Sequence, residues 1–289
     1  MDVAARIEQT LSAAVAQASL AGCPPKLGAA MRHAVFPRGA RVRPRLCLAV
    51  ADACGDGAPS VAAAAAASIE LLHCASLVHD DLPCFDNAAT RRGRPSVHRA
   101  FGEPLAVLVG DALIVLAFQT LTQGAAATPG RMATLVMTIA GAVGVPCGIV
   151  AGQAWECEPR ADLAEYQRQK TGALFAAATV MGAVAAGAEA EPWRHVGARL
   201  GEAYQVADDI LDATAREEQV GKPVGQDQAL GRPNAVLQLG LAGARARLAQ
   251  LAEDAVDAVP PCPGGAALRR HILTETMRLV PQDVARHAA

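Results

Sequence analysis

Apolar residues recur at three- and four-residue intervals along almost the whole chain, and runs that alternate β-branched or aromatic residues with polar ones are missing. That spacing buries one stripe of a helix and leaves no face for a pleated strand, so the expected fold class is all-α. Aromatic residues, which sheets favour, make up only 3% of the 289 residues. Breakers at Cys23-Pro24-Pro25, Pro37-Arg38-Gly39, Gly55 to Pro59, Gly93 to Pro95, Thr128-Pro129-Gly130, Gly221 to Gly225 and Pro260 to Gly265 cut the pattern into about ten or more helices. Pro104 suits the start of a helix, and Asp162 with Glu165 forms a capping box for the helix expected to run through Lys170. No Gly/Ser-rich or charged linker interrupts the chain, so residues 1–289 are expected to form one domain.

Charge excludes several function classes. The 26 basic and 28 acidic residues are interspersed and sum to −2, leaving no basic field for nucleic acid or an anionic membrane. None of the eight cysteines forms a CxxC, the closest pair being Cys47 and Cys54, and no basic stretch with an apolar leader opens the chain. A reducing cytoplasm without structural zinc is the expectation. Met132 to Trp155 and Thr171 to Ala188 carry no charge, but they are built mostly of Ala and Gly and broken by Pro146 and Gln153. They are expected to be buried core helices, with no transmembrane segment.

The chemistry is concentrated in an internal echo. His79-Asp80-Asp81-Leu82-Pro83-Cys84-Phe85-Asp86 and Ala207-Asp208-Asp209-Ile210-Leu211-Asp212 each place paired aspartates at the end of a long apolar helix. Asp208 and Asp212, four residues apart, share a helical face about 6 Å apart along the axis. In the first motif Pro83 must disturb the last turn, returning Asp86 towards Asp80. Magnesium prefers oxygen ligands and bridges carboxylates to phosphates, so two such clamps on facing walls of one cavity suit a diphosphate. Leu77-Val78 and Val206-Ala207 lead into the acids, and carboxylates ending core helices cost stability unless cations compensate.

Anion-binding groups accompany the clamps: Arg41 and Arg43 before Pro44, and Arg91, Arg92 and Arg94 after the first clamp. His73 lies two helical turns before Asp80 on roughly the same face. Lys170-Thr171-Gly172 interrupts an apolar helix with a cation, and Lys222 follows the second clamp in a Gly-rich loop.

These motifs, in this order, resemble the all-α isoprenyl diphosphate synthases, and the Arg-Arg-Gly-Arg-Pro loop after His-Asp-Asp-Leu-Pro is most similar to bacterial carotenoid-pathway geranylgeranyl diphosphate synthases. The likeness extends to Gly39–Pro44, Glu70–His73, Gly110-Asp111, Gln205–Asp212 and Gly221-Lys222, covering about residues 30 to 235. The resemblance implies the isoprenoid synthase fold, a bundle around a central cavity. It also implies a catalytic set of Asp80, Asp81, Asp86, Asp208, Asp209 and Lys170 that condenses isopentenyl diphosphate with allylic diphosphates of five, ten or fifteen carbons. Three magnesium ions, replaceable by manganese, are implied, with Asp80 and Asp86 holding two and Asp208 the third, and Asp212 among the ligands. Arg91, Lys170, Thr171, Gln205 and Lys222 would contact the allylic diphosphate, and Arg43, His73 and Arg92 isopentenyl diphosphate. A homodimer is implied, and the apolar stretches around Leu105–Phe118 and Met132–Val143 suggest a subunit interface.

The chain departs from the family where Ala40 replaces a lysine, with Arg38 or Arg41 as the candidate substitute, and where Asn87-Ala88-Ala89 lacks further acids. Ala75, about 7.5 Å down the helix from Asp80, stands where shorter-chain farnesyl synthases carry an aromatic plug, and with Ala75 and Ser76 both small the product is expected to reach twenty carbons. The competing readings are a fifteen-carbon farnesyl diphosphate synthase, a terpene cyclase, and a non-catalytic subunit of a heteromeric prenyltransferase.

Overall fold

The computed structural model describes residues 2–36, 39–158, 168–214 and 234–279. Arg38, the Asp162–Glu165 capping box, Lys222 and the breaker at Gly221–Gly225 lie outside the described residues. The all-α expectation holds, and the chain groups into two compact units: Met1–Ile139 with Met181–Ala188, and Ala140–Val180 with Glu189–Ala289.

The first unit contains α1 (Val3–Ala18), α2 (Pro25–Val35), α3 (Val42–Ala53), α4 (Pro59–Asp80), α5 (Val97–Phe101), α6 (Glu103–Gly124) and most of α7 (Pro129–Val143). Its spine is the α4–α6 pair. The alanine run of α4 sacrifices little side-chain entropy, and small residues let the two backbones come close. A methyl group at Gly124 would lie 2.2 Å from the Ala64 Cβ. Ser68 Oγ donates to the Ala117 carbonyl across the pair at 2.8 Å, satisfying a buried hydroxyl. Pro104 occupies the first turn of α6, where its missing N–H costs nothing.

One departure from pure helix places chemistry. Thr90–Arg91 and Arg94–Pro95 form a two-residue antiparallel ladder. Its turn, Arg92-Gly93, has φ of 53° and 73°, the doubly left-handed geometry of a tight hairpin. Gly93 adopts that geometry without steric cost, and the hairpin holds Arg91 and Arg92 in a fixed relation.

The second unit contains α8 (Ile149–Ala154), a 3₁₀ turn (Trp155–Cys157), a π-helical turn (Arg168–Gly172), the first part of α9 (Ala173–Ala186), α10 (Glu191–Thr214), α11 (Ala235–Asp257) and α12 (Gly265–Arg278). Ala203, Ala207 and Ile210 of α10 bury against Ala244, Leu248 and Leu251 of α11. The Asn234 carboxamide caps α11, accepting from Val236 N at 2.8 Å. Gly201 lets α10 press onto Gly172, since a Cβ there would lie 2.7 Å from the Gly172 Cα.

Among the described residues, α4 and α6 are long and apolar enough to cross a membrane; the apolar window of α4 is 78% buried and that of α6 39%. Thr171–Ala188 meets the expectation of a core helix, with Leu174, Phe175, Val180 and Met181 buried. Met132–Trp155 meets it only on one side: Leu135 and Ile139 are buried, whereas Met137 is 71% exposed, because neighbouring helices cover only one face of α7.

Candidate active site

The last turn of α4 delivers the first acidic cluster. Beyond Asp81 the chain folds back through Pro83, and Asp86 N donates to the Asp80 carbonyl at 3.0 Å. Asn87, with φ of 46°, completes the reversal. This is the return of Asp86 towards Asp80 that Pro83 predicts. The two adjacent aspartates nevertheless differ. Asp81 is 2% exposed, and its Oδ1 accepts from Arg91 Nε at 2.9 Å and Nη2 at 2.5 Å. Burial pushes its carboxyl up from the usual range, against the opposing pull of Arg91. Asp80 is half-buried and Asp86 exposed.

A cationic cluster lies one to two turns below. Arg43 is buried in the first turn of α3, and His73 is half-buried on α4. Burial, reinforced by the positive fields of Arg43, Arg92, Arg91 and Arg41, holds His73 well below its ordinary value, so it is a neutral hydrogen-bonding group. The structure thus brings Arg43, His73 and Arg92 together, the set that the family resemblance implies. Glu70, 1% exposed, organises the cluster: its Oε1 accepts from Arg41 Nη1 at 2.6 Å and from Arg92 Nη2 at 3.4 Å. Gly39 allows the chain to pass Arg92, since a Cβ there would lie 2.6 Å from the Arg92 Cζ.

Arg41, one candidate for the family lysine absent at Ala40, is held by internal acceptors. Its guanidinium also donates to Glu8 Oε1 and the Val35 carbonyl, both at 2.9 Å, so three internal acceptors hold it in place. Arg38, the other candidate, falls outside the described residues.

The second cluster sits on α10 and repeats the asymmetry. Asp209 is 3% exposed; its Oδ1 accepts from Gln205 Nε2 at 2.9 Å and its Oδ2 from Ala235 N, at the start of α11, at 2.8 Å. Asp208 and Asp212 are half-buried on the adjoining face. Gln205 Oε1 accepts from Thr171 Oγ1 at 3.0 Å, linking α10 to the π-helical turn. Lys170, on that turn, donates to Glu156 Oε1 at 2.8 Å, and Gln153 Nε2 donates to Glu156 Oε2 at 2.8 Å. Gly152 makes room for the turn, because a Cβ there would lie 2.6 Å from Lys170 N.

Glu8, Glu156 and the bridging role of Glu70 are absent from the sequence-based expectation. Glu156 had one usable signal, as the first acid after a long uncharged run; Glu8 had none. Of the chain-length pair, Ala75 is buried at 1% exposure and Ser76 is half-buried, its hydroxyl donating to the His73 carbonyl at 2.9 Å.

Among the described residues, no three His, Cys, Asp or Glu side chains converge into a metal cage. Isolated carboxylates of this kind fit magnesium, which takes one or two carboxylates per ion and fills its shell with phosphate oxygens and water.

Comparison with known proteins agrees with this chemistry. Residues 24–260 match the family model described as polyprenyl synthetase. A geranylgeranyl diphosphate synthase of Cereibacter sphaeroides is 53% identical over 280 residues, 97% of each chain. One of the same name from Rhodobacter capsulatus is 51% identical over 272 residues, 94% of each. A crystal structure of a geranyltransferase from Helicobacter pylori, complexed with magnesium and isoprenyl diphosphate, aligns with a TM-score of 0.82 at 30% identity over 96% of both chains. Paired aspartates with their inner members fixed, the buried arginine cluster and a family match spanning most of the sequence lead to one conclusion: the chain belongs to the polyprenyl synthetase family.

Proposed function

We propose that this protein elongates allylic diphosphates with isopentenyl diphosphate, releasing diphosphate, and that its product is geranylgeranyl diphosphate. The observation that carries the reading is the repeated asymmetry of the aspartate pairs. In each, one carboxylate is locked into the fold, Asp81 by Arg91 and Asp209 by Gln205 and Ala235 N, while its neighbour is not buried. The C20 product is supported by the 53% and 51% identity to synthases of that name and by alanine at position 75.

Asp80, Asp86, Asp208 and Asp212 are the residues that would hold three magnesium ions, or manganese in their place. When bound, the metal neutralises the diphosphate and makes it a better leaving group. Lys170, Thr171, Gln205, Arg91 and Lys222 bind the allylic diphosphate, and the cations among them stabilise the charge that develops as it departs. Arg43, His73 and Arg92 hold isopentenyl diphosphate, with His73 acting as a neutral donor or acceptor. The homoallylic double bond attacks the ionised allylic carbon, and the released diphosphate takes the proton. Asp81 and Asp209 act as supports for their neighbours.

Residues 1–289 act as one domain. The working form is a homodimer: Val107, Leu108 and Val115 of α6 and Met137 of α7 are 43%, 52%, 56% and 71% exposed, an apolar outer face of the kind that partner subunits cover. Among the described residues no cysteine is in a disulfide, which suits the cytoplasm.

Mixing the protein with isopentenyl and farnesyl diphosphates in magnesium is expected to release one inorganic diphosphate per isopentenyl unit consumed. Excess chelator should stop release and added magnesium restore it. Release that persists in chelator would contradict the metal assignment.

A further inference from the structure

His79 is absorbed by none of the roles above, yet it stands directly before Asp80. Its side chain leaves the last turn of α4 towards α6, where the imidazole lies against the backbone. Nε2 is 3.3 Å from the Val107 carbonyl oxygen and 3.8 Å from Asp111 Oδ1. A carbonyl only accepts, so Nε2 carries the proton and donates. The seat exists because residue 110 is glycine: a Cβ there would lie 1.9 Å from His79 Nε2 and 2.4 Å from Cδ2. No side chain at 110 is compatible with the imidazole in this position.

Successive helical residues point about 100° apart, so Asp80 projects between His79 and Asp81. Both flanking residues are tied down, His79 to α6 and Asp81 to Arg91 on the hairpin. We infer that His79 is a positioning residue which, seated on Gly110, fixes the direction of the Asp80 carboxylate towards a magnesium-bound diphosphate. The inference rests on the reading of Asp80 as a magnesium ligand. Groups that orient a metal ligand by bonding to it typically contribute about ten- to a hundredfold to metal affinity, and His79, acting through the last turn of α4, is placed at the lower end.

The test titrates magnesium in the presence of inorganic diphosphate, without isoprenoid substrate, and follows the thermal shift of wild type, His79→Ala, His79→Gln, Gly110→Ala and the His79→Ala/Gly110→Ala double variant. The half-maximal magnesium concentration is expected to rise about tenfold in both alanine variants. His79→Gln should stay within about threefold of wild type, because its amide still donates to the Val107 carbonyl. In the double variant the methyl fills the space the imidazole left, so the effects should not multiply. Multiplying effects, or a His79→Ala titration equal to wild type, would overturn the inference. If Gly110→Ala shows no cooperative melting, the comparison of His79→Ala with His79→Gln decides alone. A wild-type protein with no magnesium-dependent shift would overturn the ligand reading of Asp80 and this inference with it; a normal wild-type shift with unmoved variants overturns the inference only.

Discussion

Asp80→Ala is expected to lower the rate of isopentenyl incorporation by about a thousandfold while leaving the protein folded. Each factor of ten corresponds to about 1.4 kcal/mol of transition-state stabilisation, so the loss amounts to about 4 kcal/mol. The physical source is the leaving group. A departing diphosphate gathers negative charge, and the carboxylate that would hold its counter-cation has been removed. Stability should be preserved, because Asp80 is half-buried beside two further acids and its removal relieves like-charge repulsion. Asp81→Asn provides the contrast: the neutral side chain loses a buried ion pair with Arg91, so melting temperature falls together with rate. Steady-state incorporation and thermal melting of both variants check the pair. An Asp80→Ala enzyme within tenfold of wild type would contradict the assigned role.

The second large effect concerns product length. Ala75→Tyr is expected to shift the main product from twenty carbons to fifteen or fewer. Ala75 is 1% exposed on α4, five residues before Asp80, where the family resemblance puts the limit on the growing chain, so a phenol there is expected to shorten the chain that fits. Overfilling a packed position costs typically about 1–3 kcal/mol, so some loss of melting temperature should accompany the shift. Chain-length analysis of the reaction products is the measurement. A folded, active Ala75→Tyr enzyme that still yields mainly C20 would exclude position 75 as the determinant.

Periodicity and punctuation made the helices legible, and the spacing of Asp80, Pro83 and Asp86 foretold the chain reversal that the Asp86 N to Asp80 carbonyl bond closes. What sequence could not reveal was which member of each aspartate pair faces inward. Asp80 and Asp81 are chemically identical neighbours, and the difference arises only because the hairpin carries Arg91 to one of them. The same holds for Asp209, whose fate depends on the start of α11, 26 residues away. The Glu8–Arg41–Glu70 cluster joins residues 29 and 33 apart, with no local pattern to announce it. Its existence alters a sequence-based inference directly: Arg41 reads as a phosphate ligand from its place near Arg43, yet its charge is consumed within the core. Glycine was the under-read signal. Gly39, Gly110, Gly152 and Gly201 each mark a place where another group occupies the space of a Cβ, beside Arg92, His79, Lys170 and Gly172 respectively.

The isolated chain is expected to elongate allylic diphosphates by itself to a twenty-carbon product. The most direct test incubates the purified protein with magnesium, labelled isopentenyl diphosphate and, separately, dimethylallyl, geranyl and farnesyl diphosphates, and sizes the dephosphorylated products by chromatography. Elongation by the isolated protein with a dominant C20 alcohol is the expected result. The absence of elongation from any starter would contradict it.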